Sequence, residues 1–147
     1  MRAVIDNDWL TMVSRLILGI TFIYASFYKI IDPGSFAKSI WYYHMVPGSL
    51  INMMALVMPW LEFLCGVGLI LGIYFRGSVA WIGVMLMVFL IALVSAISRG
   101  LSIDCGCFKA AADATGSAWR SLIFDIVLIP FLVQLLLTRS RRWMIRP

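Results

Sequence analysis

Charge is what this sequence has least of. Asp, Glu, Lys and Arg make up 13% of its 147 residues, where an ordinary soluble domain carries about 25%. That shortage, with 63% hydrophobic residues and a mean hydropathy of +0.98, excludes a soluble globular fold. Histidine occurs once, at His44, so an imidazole-rich metal centre has almost no ligands to draw on. There are three cysteines and only two lie close together, which excludes a relay built from two dithiol pairs. Nothing resembles a nucleic-acid module. The net charge of +5 gathers in Arg139, Arg141, Arg142 and Arg146, and such a tail fixes topology or touches anionic lipid. The first apolar run lacks a small-x-small cleavage site and contains Arg15, so it reads as a retained helix and not a signal peptide.

What is present is a series of apolar runs near the spanning length of about 20 residues. The expected architecture is all-α: a single membrane domain, 1–147, forming a four-helix bundle. Spans are expected at about 9–31, 50–75, 78–98 and 118–138, with a cysteine-containing loop at 99–117 and a basic tail at 139–147. After the first span, Asp32-Pro33 reads as a helix start, with Asp as cap and Pro at the first position. Phe36, Ile40 and Tyr43 then share one face. The segment is too short to span and predicts an amphipathic interfacial helix, ended by Pro47-Gly48. Gly68 and Gly72, four apart, would allow close helix approach, and Arg76-Gly77 reads as a tight turn. The run 16–22 nearly repeats as 69–75. With so small an apolar alphabet, the repeat reads as coincidence.

Four spans put both termini on one side. The dense arginine tail, with Arg2 and Arg76, tips that side toward the cytoplasm against Lys29, Lys38, Arg99, Lys109 and Arg120 opposite. The expected location is the bacterial inner membrane, multi-pass, with the cysteine loop in the periplasm, where disulfides persist.

Cys105-Gly106-Cys107 is the most reactive grouping. Gly106 tolerates the backbone angles that a bond between residues two apart demands, and a strained, exposed disulfide exchanges readily. Arg99 beside it, with Lys109 or Arg120, would favour the thiolate. Two other readings stay open: a static loop staple, and a Zn or Cu(I) site from the two thiolates with Asp104 and His44. Within the spans, Arg15, Glu62 and Asp125 are ionisable, with Lys29 and Arg120 near the outer boundary; such groups pair inside a bundle or line a proton or ligand route. The expected pairs are Arg15 with Glu62, and Arg120 or Lys29 with Asp125. Cys65 reads as an inert packing residue. Trp41, Tyr42, Tyr43 and Trp119 would gather at the outer surface, as a roof for a quinone ring or as an interfacial belt.

Several of these residues together resemble a known family. Arg15 with Gly19, Lys29, Asp32-Pro33 with Phe36, Pro59-Trp60-Leu61-Glu62 with Gly66, Arg99-Gly100, Cys105-Gly106-Cys107-Phe108, and Arg120 with Asp125 are similar in order and spacing to the MauE/DoxX group, and more closely to its MauE-like branch. Lys109 departs from the pattern, which tends to have glycine there. The resemblance implies a four-helix membrane protein acting near thiol–disulfide chemistry, a thioredoxin-like periplasmic partner in the MauE-like branch, and quinone-dependent sulfur oxidation among DoxX-like relatives. Two functions follow as expectations. In the first, the protein is a thiol–disulfide redox protein, with Cys105, Cys107, Arg99, Glu62 and Asp125 doing the chemistry and Lys29, Arg120, Trp41 and Trp119 favouring a quinone or anionic substrate. In the second it is a non-enzymatic accessory subunit of a larger membrane complex, with the cysteines as a structural disulfide.

Overall fold

The structure, a computed structural model, describes residues 7–100 and 117–138. It contains five helices within those residues: α1 (Asp8–Ile31), α2 (Pro33–Tyr43), α3 (Gly48–Leu71), α4 (Phe75–Ser98) and α5 (Ser117–Leu137). All but α2 are long and apolar enough to cross a membrane. The all-α membrane bundle expected from hydropathy is what the chain forms.

Helix α1 shows how this bundle inverts the soluble pattern. Its buried positions include Thr11, Ser14, Arg15, Ser26 and Lys29, spaced along one face with Leu18, Gly19 and Phe22. Its exposed positions include Val13, Ile20, Tyr24, Phe27 and Ile31. With lipid outside, apolar side chains lose nothing by facing outward, and polar ones must find partners within. Asn7 caps the start by accepting the Trp9 N–H at 3.1 Å.

Asp32 ends α1 and opens α2. Its carboxylate accepts the Ser35 N–H at 3.1 Å and the Ser35 hydroxyl at 2.6 Å, with Pro33 in the first turn, as the sequence predicts. Phe36 and Ile40 pack with Ile51 and Ala55 of α3, and Tyr43 packs with Ala92 and Ala96 of α4. The helix stops at His44, whose left-handed φ of 49° turns the chain before Pro47.

Two expected boundaries differ. Helix α3 ends at Leu71, not near 75, because Gly72 adopts φ 70° and its N–H bonds back to the Gly68 carbonyl. The turn is therefore 72–74, and Arg76 and Gly77 sit in the first turn of α4. The apolar residues Ile73 and Phe75 carry hydropathy straight through the turn and hide it. The glycines at the tightest helix contact also differ from the expected pair. A Cβ on Gly19 would lie 2.5 Å from Ile70 Cγ1 and 3.0 Å from the Gly66 carbonyl oxygen; one on Gly66 would lie 2.8 Å from Ile23 Cγ1 and 3.0 Å from the Gly19 oxygen. Gly19 and Gly66 thus face each other, and α1–α3 is the most extensive pairing in the bundle.

Around the bundle the order is α1, α3, α4, α5, and back to α1. At one end the Thr11 and Thr138 hydroxyls meet at 3.2 Å, and Gln134 donates to Thr11 at 3.1 Å. That end also holds the α3–α4 turn. The opposite end, where α4 stops and α5 begins, receives the connection that carries Cys105 and Cys107.

Candidate functional site

Lys29 lies in the last turn of α1, where a lysine would ordinarily reach water. Here it is 2% exposed. Its side chain leans back along α1 toward the N-terminus, as helical side chains do, and so points into the bundle. The antiparallel register of α1 and α3 sets Glu62 opposite it, and the ammonium donates to both carboxylate oxygens, at 2.9 and 3.0 Å. The rings of Phe36 and Phe89 lie 4.9 and 4.3 Å from the same nitrogen, within cation–π range. Helices α1, α2, α3 and α4 thus each contribute one group to a single enclosed charge pair.

Such a pair is poor value as mere glue. Removing two ions from water costs several kcal/mol each, and a well-packed apolar pair of similar size is often as stable or more so. The surroundings indicate more than a structural clasp. Lys29 and Glu62 line a cavity of about 40 Å³ together with Asp125 and Ser121 of α5 and Thr21 of α1. That volume admits about three water molecules. Ser121 and Asp125 are one helical turn apart, so both reach the same space. The remaining lining is apolar, mainly Phe22, Leu86, Phe89, Leu93 and Leu128. Chemically, this is a part-open, largely apolar cavity in which the described residues supply two carboxyl groups and one ammonium group, groups that can hold a proton.

The expected pairing of Arg15 with Glu62 is not what forms: Glu62 takes Lys29, and Asp125 lines the same cavity as that pair. Arg15 sits near the opposite end, 14 residues from Lys29, or about 21 Å along α1. There it donates from Nε to the Leu69 carbonyl at 2.9 Å and from Nη2 to the Ile70 carbonyl at 2.8 Å, with Phe75 beneath its guanidinium. It satisfies the final carbonyls of α3, which have no helical partners of their own. Arg99, exposed at the end of α4, donates to the Tyr43 carbonyl at 3.3 Å and fastens the end of α2. Trp41, Trp119 and Arg120 are exposed and do not line the cavity. Cys105, Cys107 and Asp104 lie outside the described residues. Among the described residues no three His, Cys, Asp or Glu gather closely enough to hold a metal ion.

Of the residues singled out in the sequence, the structure therefore unites Lys29, Glu62 and Asp125. Sequence reasoning missed Thr21, Phe36 and Phe89 as parts of the site. Ser121 had a signal, its spacing of four from Asp125. Nothing in the sequence marks Phe89 among the many apolar residues of α4.

The family model described as "Methylamine utilisation protein MauE" matches residues 7–138. The Methylamine utilization protein MauE of Methylophilus methylotrophus is 24% identical over 110 residues, covering 74% of this chain and 58% of that protein. The chain therefore spans less than two thirds of that relative's length. No solved structure matches. Arg15, Gly19, Lys29, Phe36, Glu62, Gly66 and Asp125, the residues that carried the resemblance and that the fold turns to account, all fall inside the matched region: the chain belongs to the MauE family.

Proposed function

We propose that this protein is a membrane thiol–disulfide redox protein, in which Cys105 and Cys107 exchange electrons with an exported thioredoxin-like partner or a quinone. A partner thiolate attacks the Cys105–Cys107 disulfide and forms a mixed disulfide. The partner's second thiol resolves it, leaving the partner oxidised and the pair reduced. Reoxidation by a quinone passes two electrons and two protons to give the quinol and restores the disulfide. The reverse flow obeys the same balance.

One observation carries the reading: Glu62 and Asp125 line one cavity with Lys29, among the helices that hold the cysteine connection. The two protons that leave the dithiol end on the quinol, and a membrane site with two carboxyl groups can relay them on the way. In this reading Arg99 and Arg120 favour the thiolate, and Trp41 and Trp119 form part of the quinone's approach. The membrane is the bacterial inner membrane, with both termini cytoplasmic and the cysteines periplasmic. The relative's name supplies a setting, methylamine utilisation, in which the protein would serve the maturation of exported proteins.

A second reading, an accessory subunit of a larger membrane complex with a static disulfide, is favoured by the cysteine inventory. Apart from Cys105 and Cys107 there is only Cys65, half-buried in α3, so no second pair exists for a relay. Trapping separates the two. Cys107→Ser in native membranes should accumulate a mixed disulfide between Cys105 and a thioredoxin-like protein. A trap that catches nothing, with exported disulfides forming normally, leaves the accessory role.

A further inference from the structure

The end of the bundle remote from the cysteine connection holds a second opening, formed by Phe75, Arg76 and Val79 of α4 with Leu135 and Leu136 of α5 and Thr138 just beyond it. Its volume is about 270 Å³. It has no part in the proposed thiol chemistry.

Its depth in the membrane is marked by aromatic residues. Trp9 and Tyr74 belong to the same end and are 75% and 77% exposed, the largest exposures among the big apolar side chains. Trp and Tyr collect at the headgroup level, so the opening lies where lipid headgroups lie. Its lining is divided. Val79 and Leu135 are buried at its floor, Leu136 is exposed beside it, and Arg76 and Thr138 supply its polar groups. Arg76 is exposed and makes no hydrogen bond or ion pair with any described residue. In contrast, Arg15 and Arg99 both donate to carbonyls. Thr138 is followed directly in sequence by Arg139, Arg141 and Arg142. Among the described residues no Asp or Glu lines the opening.

An uncommitted guanidinium in an opening of mixed polar and apolar lining, at headgroup depth, matches one kind of molecule. We propose that this opening binds an anionic phospholipid, with the phosphate on Arg76 and the start of an acyl chain against exposed Leu136. Guanidinium suits phosphate because its planar fork can give two parallel hydrogen bonds. The lipid would lie against α4 and α5 and fill the space between their ends. Helix α5 has the most to gain, since only 17% of its spanning window is buried, against 39% for α1.

The test uses the full chain in neutral detergent, with phosphatidylglycerol and phosphatidylcholine supplied in equal amounts and bound lipid counted by native mass spectrometry. One basic group at a membrane surface favours anionic lipid by about fivefold, so the wild type should retain phosphatidylglycerol over phosphatidylcholine by about that ratio. Arg76→Gln should bring the ratio close to one, and Arg76→Lys should keep most of it. Leu136→Trp, which narrows the groove and leaves the charge in place, should lower retention of both lipids. Arg76 and Leu136 are exposed, so these changes leave the packed interior intact. The proposal is overturned if Arg76→Gln keeps the wild-type preference while replacing Arg139, Arg141 and Arg142 by Gln removes it. It is equally overturned if inorganic phosphate displaces the lipid at matching concentration, which would mark a site for a free anion.

Discussion

Replacing Lys29 by Met removes the cation from an enclosed charge pair. The side chains of Lys29 and Glu62 are each 1% exposed, and the ammonium bridges both carboxylate oxygens. Deleting one partner of such a pair leaves the other buried without its counter-charge, at a cost of about 3–5 kcal/mol. Lys29→Met also gives up the contacts with Phe36 and Phe89, worth about 2 kcal/mol when desolvated. Glu62→Met keeps those rings but strands the ammonium between them. Either single change should therefore cost at least about 3 kcal/mol in reversible unfolding in mixed micelles. The double variant, Lys29→Met with Glu62→Met, strands no charge and should recover most of that loss. The decisive quantity is the coupling energy from the cycle, expected to fall near 3 kcal/mol, the upper part of the range for contacting residues. If the singles are near neutral, or if their effects simply add, the two side chains do not form the enclosed pair described here and the chamber loses its organising contact.

Four further outcomes follow from the geometry. Gly66→Val should cost about 1–3 kcal/mol by overpacking, since its Cβ would meet Ile23 and the Gly19 carbonyl, and crosslinking between α1 and α3 should weaken in parallel. Arg15→Met leaves the buried Leu69 carbonyl unpaired, at about 1–3 kcal/mol, and the half-buried Ile70 carbonyl without its donor; hydrogen exchange should speed up across 69–75 and remain unchanged near Lys29. Gly72→Ala forces a side chain into φ 70°, costing about 1–2 kcal/mol of unfolding free energy. Arg99→Ala loses a single part-buried hydrogen bond to the Tyr43 carbonyl, long at 3.3 Å, and should change stability by no more than about 1 kcal/mol. Any larger effect of Arg99→Ala on thiol exchange than on unfolding would then report its chemistry.

Much of this architecture can be read from residue order alone. The spans announce themselves because length and apolarity suffice to define them, and the Asp32-Pro33 start of α2 has a local mechanism that needs no tertiary context. The ionisable residues were legible as a set for the same reason: charge inside a span has to be accommodated somewhere. Their partners were not legible. Whether Glu62 meets Arg15 or Lys29 depends on how far α1 slides along α3, and that register is set by Gly19 seating against Gly66. Either glycine alone looks like any other glycine in an apolar helix. The end of α3 was obscured for a different reason, since Ile73 and Phe75 keep hydropathy high through a turn whose only local mark is Gly72. Phe89 became part of the site through the placement of α4, which no local feature of that helix foretells.

The central claim is a redox-active cysteine pair on the far side of the membrane from the chain's termini, and labelling tests it most directly. Right-side-out vesicles are treated with a membrane-impermeant maleimide, with and without prior reduction, and the modified peptides are identified by mass spectrometry. The account predicts that Cys105 and Cys107 are modified from outside only after reduction, while half-buried Cys65 stays unmodified in both conditions. Modification of the pair solely in inverted vesicles, without any reductant, would contradict it.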